Sequence, residues 1–163
     1  MTSIDKARAL AFAVPAALLA GAYGFQYLGG LPPCEMCWWQ RYGHMAGLAF
    51  AVLAILLRGK GGGGRPFVLL AALAIFASGA IGAYHAGVEL DIFEGFTQCT
   101  AARGAGASAS DMLDAILSAP IVRCDEVPWS LFGISMAGWN AILSIGFALL
   151  ILWLATKRPR NAS

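Results

Sequence analysis

Of 163 residues, 59% are hydrophobic and only 12% are charged, with a formal net charge of +2. That balance excludes a soluble globular core and describes a set of membrane spans. The small positive excess is a signal of topology and excludes nucleic acid as a partner. The expected fold is all-α, a single integral membrane domain over residues 1–163 in contact with the lipid bilayer.

Four apolar runs are separated by charged or polar breaks: Ala7 to Leu28, Trp38 to Leu57, Pro66 to Tyr84 and Leu131 to Leu154. At 1.5 Å per residue each reaches roughly 28 to 36 Å, enough to cross a hydrocarbon layer of about 30 Å. Lys6 and Arg8 before the first run, and the small triplet Ala11-Phe12-Ala13 within it, resemble a secretory leader. The run continues well past that triplet, beyond the length of a leader's apolar region, so it is expected to be a retained span.

Leu31-Pro32-Pro33 makes a turn before Cys34-Glu35-Met36-Cys37, which opens the second run. The link from Gly59 to Gly64, Gly-Lys-Gly-Gly-Gly-Gly, is a flexible connection with no residue able to do chemistry. The segment 85–130 is long for a loop in a compact domain, and such loops are usually functional. Within it Ala101 to Ala109 is small and flexible. Ser110 to Leu117 reads as a short helix capped by Ser110 or Ser108, with Met112, Leu113, Ile116 and Leu117 on one face. It either lies on the membrane surface or packs on the outer end of the spans.

Lys6 and Arg8, Arg58, Lys60 and Arg65, and Lys157, Arg158 and Arg160 fall in three segments that four spans place on one side. The positive-inside rule makes that side the cytoplasm. All four cysteines then face outward, into a compartment where disulfides persist.

Cys34 and Cys37 stand against two alternatives. A structural zinc site lacks its second half, because Cys99 and Cys124 are not at knuckle spacing; no metal is expected. As staples, a bridge over 34 to 37 contributes only about 2 kcal/mol and one over 99 to 124 about 3.5 kcal/mol in the chain-entropy model, so the first is a weak staple. A Cys-x-x-Cys pair at a helix N-terminus suits a redox dithiol, whose thiolate the helix dipole favours. Arg41, four residues after Cys37, reaches the same helical face and can stabilise a thiolate or an adjacent anion. Its alternative is an anchor that snorkels into the headgroups beside Trp38, Trp39 and Tyr42. His44 reads as a satisfied core histidine, Asn140 as an interhelical hydrogen bond, and Gly21, Gly24, Gly79 and Gly82 as close helix contacts.

Several of these segments together resemble the DsbB family of bacterial disulfide-forming quinone reductases. They are Pro33 to Arg41, reading Pro-Cys-Glu-Met-Cys-Trp-Trp-Gln-Arg, then Tyr84 to Glu89, Cys99, and Cys124 followed by Trp129 to Asn140. The resemblance covers nearly the whole chain; the oligo-glycine link and the small-residue stretch after Cys99 depart from it. It implies a four-helix bundle in the bacterial inner membrane, with the short amphipathic helix in its outer loop. Such a protein reoxidises a periplasmic thioredoxin-fold oxidant of the DsbA type and passes the electrons to the membrane quinone pool, as ubiquinone or menaquinone. By that pattern Cys99 takes the mixed disulfide, Cys124 attacks Cys34, and Cys37 is released beside the quinone. Arg41, His85 and Met136 are implied as further quinone contacts, with His85 alternatively a loop or headgroup histidine and Glu89 holding its ring. Two other readings are a membrane scaffold with structural disulfides and an enzyme of the vitamin K epoxide reductase type. In the latter family the Cys-x-x-Cys lies late in the bundle, whereas here it precedes span two.

Overall fold

The computed structural model describes residues 2–59, 64–95 and 122–157. Lys60 to Gly63, Cys99, Arg103, the small-residue stretch 101–109, the expected helix 110–117, Arg158 and Arg160 lie outside the described residues.

Helix α1 spans Ser3–Tyr27 and begins with a capping box, in which Thr2 and Asp5 each satisfy the other's backbone N–H. It runs through Pro15, whose missing N–H leaves the Ala11 carbonyl without its usual helical donor. Helix α2 spans Glu35–Leu56 and α3 spans Arg65–Glu89, the latter with Pro66 in its first turn, where the lost N–H costs nothing. Helix α4 spans Met136–Thr156 and is capped by the Ser135 hydroxyl, which accepts from the Gly138 N–H at 3.1 Å.

Two ends differ most from the expected runs. Helix α3 continues past Tyr84 to Glu89, carrying His85 inside the helix. The fourth helix starts at Met136 and not at Leu131, because the residues before it form a small hairpin. Strand β1, Ser130–Leu131, pairs antiparallel with β2, Ile134–Ser135, in the register Ser130 with Ser135 and Leu131 with Ile134. Its two turn residues, Phe132 and Gly133, both have left-handed φ of 53° and 78°. That is the backbone of a type I′ turn, which matches the twist of a tight hairpin.

Helix α3 packs against α2 and α4, and α1 packs against the same two helices. Neighbours run antiparallel: Gly43 lies against Ser78 while Gly47 lies against Ile75, and Gly82 faces Ala137 and Asn140 while Gly79 faces Ser144 and Ile145. At these glycines the helices approach so closely that a Cβ on Gly79 would stand 2.8 Å from Ile145 Cγ1. Alanines dominate the seam deeper in, with Ala7, Ala51, Ala54, Ala71 and Ala148 fully buried beside Val68, Ile75 and Ile151. Small residues allow this packing where lipid, and not water, surrounds the helices.

The outward face is apolar, with Leu53, Leu73, Phe76, Ile142, Leu149 and Trp153 all exposed. Helices α1, α3 and α4 are long and apolar enough to cross a membrane. Helix α2 has the length, 22 residues, but Gln40, Arg41 and His44 dilute the hydropathy of its first half. Those polar residues are buried inside the protein.

Candidate active site

The site begins at the first turn of α2. Pro32-Pro33 delivers the chain to Cys34 in extended conformation, with φ −75° and ψ 175°, and Cys34 is the N-cap: its sulfur accepts the Cys37 N–H at 3.3 Å. The cap geometry folds the two side chains together and leaves the sulfurs 2.8 Å apart. Cys34 is buried and Cys37 half-buried.

The chain before the hairpin returns to this turn. Trp129 packs its ring on Phe25 of α1 at 4.8 Å between centroids, and Val122 and Cys124 enter a small apolar cluster with Cys34, Met36 and Val88. Cys124 is fully buried there, with its sulfur in hydrogen-bonding reach of Cys34. That contact first, then the Cys37 sulfur and burial, pushes the Cys34 thiol well above the ordinary cysteine range. Outside the cluster the turn is held by exposed Arg123, which pairs with Asp125 at 2.5 Å and Glu126 at 3.5 Å; the bond from Arg123 keeps the Asp125 carboxyl below its usual range. Cys99 lies outside the described residues.

His85 joins the three strands of this arrangement. Its Nε2 lies 3.7 Å from Cys34 Sγ and 3.2 Å from the Cys124 carbonyl oxygen. Its Nδ1 lies 2.9 Å from Gln40 Nε2, an amide that also donates to the Met36 carbonyl at 3.2 Å. The Gln40 donor assigns Nδ1 as the acceptor and Nε2–H as the donor toward Cys124. Glu89 stands 3.9 Å from the same ring, and its other oxygen accepts from the Ser135 hydroxyl. Cys34, Cys37 and His85 bring donor atoms within 4.8 Å of one another, close enough for a soft metal. Two thiolates on one tetrahedral zinc, at about 2.3 Å each, stand about 3.8 Å apart. The 2.8 Å between these sulfurs is shorter than that spacing and leaves the pair within reach of a disulfide.

Arg41 is 6% exposed and is not an anchor in the headgroups. It donates to Gln26 Oε1 at 2.5 Å and to the Ala22 carbonyl at 3.1 Å, both on α1. Its guanidinium lies 4.8 Å over the Tyr23 ring and 5.0 Å over the Trp38 ring, so stacking and hydrogen bonds fix the fork together.

A cavity of about 670 Å³ opens beside these residues, and Cys34, Cys37, Arg41, His85 and Met136 all line it. Its deeper wall is largely apolar, with Leu18 of α1 and Leu143 of α4, apart from His44 and Asn140. Such a volume and such a balance suit a small organic ligand. Gly21 also lines it. A Cβ on Gly21 or Gly24 would meet nothing within 4 Å, so these two are not close helix contacts, unlike Gly79 and Gly82. The difference lies in which face of the helix each occupies.

A buried polar chain, which the spacing of cysteines does not announce, backs the site. Asn140 donates to Gln40 Oε1 at 2.8 Å and to the Ser78 carbonyl at 3.2 Å, and its own carbonyl oxygen meets His44 Nε2 at 2.8 Å and the Ser144 hydroxyl at 2.8 Å. Asn140 is thus interhelical, as expected. His44 is only half satisfied, since its Nδ1 is buried with no partner among the described residues. One sequence signal does point to Gln40: it follows Cys37 by three residues and so shares its helical face.

The family model described as "Disulfide bond formation protein DsbB" matches residues 5–154. Curated relatives carrying the name disulfide bond formation protein B include one from Marinobacter nauticus, 31% identical over 151 residues, covering 88% of this chain and 84% of that protein. Another, from Azoarcus sp., is 32% identical over 155 residues, covering 90% and 89%. A third, from Methylococcus capsulatus, is 32% identical over 158 residues, covering 91% and 93%. No solved structure matches the chain. With a family match over nearly its whole length, helices fit for a membrane and the three described cysteines gathered at one end of them, the chain belongs to the DsbB family, as a multi-pass membrane oxidoreductase of disulfide bond formation.

Proposed function

We propose that this protein is a four-helix-bundle thiol:quinone oxidoreductase of the bacterial inner membrane. It reoxidises a periplasmic thioredoxin-fold protein of the DsbA type through Cys99 and Cys124, and relays the electrons through Cys34 and Cys37. The observation that carries this reading is the position of the Cys34 sulfur, which has Cys37 on one side and Cys124 on the other. Both termini are cytoplasmic and the cysteine end is periplasmic, a topology supported by the lysines and arginines clustered at the opposite end.

The relay balances as a series of thiol–disulfide exchanges. A partner thiolate attacks Cys99 of a Cys99–Cys124 disulfide and Cys124 leaves as a thiolate. Cys124 then attacks Cys34 of the Cys34–Cys37 disulfide, and Cys37 leaves as a thiolate. The partner's second thiolate resolves its bond to Cys99, so the partner departs oxidised. Cys99 attacks Cys124, restores their disulfide and frees Cys34, so the two electrons now rest on the Cys34–Cys37 dithiol. His85 holds the Cys124 carbonyl in line for these exchanges.

The cavity fits a quinone. It is large enough and its deeper wall is largely apolar, with Arg41 and His85 beside the cysteines to meet a polar head group. Cys37, Arg41, His85 and Met136 would hold the group, which supplies when bound a two-electron, two-proton oxidant that restores the Cys34–Cys37 disulfide. Arg41 stabilises the Cys37 thiolate and keeps its own fork oriented through Gln26.

The test uses purified full-length protein, a reduced thioredoxin-fold dithiol and a short-tailed quinone without oxygen. One quinone should be consumed, by its ultraviolet absorbance, for each partner disulfide formed. Organic extraction of the purified protein should identify the quinone as ubiquinone or menaquinone. Partner oxidation without quinone loss would reject the reading in favour of a scaffold.

A further inference from the structure

We propose that His44 makes this cavity selective for the reduced ligand, accepting a hydrogen bond at Nδ1 from a hydroquinone hydroxyl that the quinone form does not possess. The inference rests on the quinone reading above and goes beyond it, to the residue that separates the two redox forms.

His44 follows Cys37 by seven residues on α2, so it shares that helical face about 10 Å deeper into the protein. It lines the cavity and is 3% exposed. The orientation of its ring protons follows from its neighbour. Asn140 Nδ2 lies within reach of three acceptors, Gln40 Oε1 at 2.8 Å, the Ser78 carbonyl at 3.2 Å and Ser78 Oγ at 3.4 Å. Reversing the amide would set its oxygen against two oxygens with no proton to share, the Ser78 carbonyl and Gln40 Oε1. Asn140 Oδ1 therefore faces His44, and His44 Nε2 must carry the hydrogen that fills the 2.8 Å gap. Nδ1 is left as a lone pair.

That lone pair is buried and meets no donor among the described residues. A second proton on the ring would create a charge deep in a wall lined by Leu18 and Leu143; the acids lining the cavity, Glu89 and Glu126, belong to its outer end. The ring is a neutral acceptor. Quinone oxygens are acceptors too, and set against Nδ1 they repel; a hydroquinone brings an O–H that satisfies the buried atom. The bound couple is thereby biased toward its reduced form, which makes the bound ligand a stronger oxidant of the cysteine pair than the same ligand free in the membrane.

The test measures equilibrium dissociation constants of a short-tailed ubiquinone and of its hydroquinone, anaerobically. It uses full-length protein carrying Cys34→Ser and Cys37→Ser, so that neither form exchanges electrons with it. Hydroquinone should bind about fivefold more tightly than quinone, the worth of one net hydrogen bond. Adding His44→Leu should bring the two constants together, by weakening hydroquinone and relieving the repulsion of quinone, whereas His44→Gln, which keeps an acceptor, should retain most of the difference. Equal constants in the His44 protein, or a difference that survives His44→Leu, overturn the inference while leaving the quinone site intact. Binding of neither form overturns the site and the inference together.

Discussion

The sulfur of Cys34 lies 3.7 Å from Nε2 of His85, which ties the N-cap of α2 to the last turns of α3. The same nitrogen reaches the Cys124 carbonyl at 3.2 Å, so one imidazole holds two cysteines from separate segments against each other. Its orientation comes from Gln40, on the far side of the ring.

Replacing His85 with Phe keeps the bulk and removes both contacts. Exchange between Cys124 and Cys34 should then slow by about tenfold, the equivalent of a single buried hydrogen bond of about 1.4 kcal/mol, while attack by the partner on Cys99 is unaffected. Rapid acid quench followed by mass spectrometry of the disulfides separates the two steps. A uniform slowing of both would assign His85 to folding alone.

Arg41 separates a site residue from an anchor. Arg41→Met should raise the quinone concentration for half-maximal rate by at least about tenfold, because it removes a charge beside Cys37 and leaves Gln26 without its donor. Arg41→Lys should recover part of this, since the charge survives but the fork that spans Gln26 and Ala22 does not. Steady-state rates against quinone concentration, at matched folded protein, decide it. Unchanged kinetics in Arg41→Met would remove the residue from the site.

Much of this was legible from sequence, and the remainder had physical reasons to be hidden. Apolar run length marked the four helices, and Cys34, Cys37 and Arg41 share a face by helical spacing alone. The partners of Arg41 on α1, Gln26 and Ala22, are set by packing between helices and have no spacing rule. The chain Gln40–Asn140–His44 joins α2 to α4 across about a hundred residues of sequence, so His44 looked like an ordinary core histidine. Gly21 and Gly79 sit in similar apolar runs, yet only Gly79 is pressed against a neighbour. The fourth helix was expected to begin five residues early because the hairpin around Phe132 and Gly133 is apolar, and apolarity outweighed the turn signal of the glycine.

The helix contacts make a stability prediction. A Cβ at Gly79 would meet Ile145 Cγ1 at 2.8 Å and Ser144 Cβ at 3.0 Å, so Gly79→Ala should destabilise the protein by about 1 to 3 kcal/mol through overpacking. Gly24→Ala, with open space around it, should be neutral or slightly stabilising through helix propensity. Thermal unfolding in one detergent compares them; an equally stable Gly79→Ala would mean α3 and α4 are not in tight contact.

The orientation is accessible to labelling in intact cells. With the four native cysteines changed to Ser, Arg123→Cys should react with a membrane-impermeant maleimide, and Lys157→Cys should react only after the cells are permeabilised. The reverse pattern inverts the topology.

The relay through Cys34 is tested most directly with a partner that keeps only its attacking cysteine, which cannot resolve its bond to Cys99 and so stops the series once Cys37 has left. After exposure of the fully oxidised protein to that partner without quinone, and rapid alkylation, peptide mapping should find Cys34 joined to Cys124, Cys99 joined to the partner and Cys37 alkylated as a thiol. The burial of Cys124 against Cys34 favours that pair of bonds. Cys34 still joined to Cys37, with Cys124 recovered as an alkylated thiol, would contradict it.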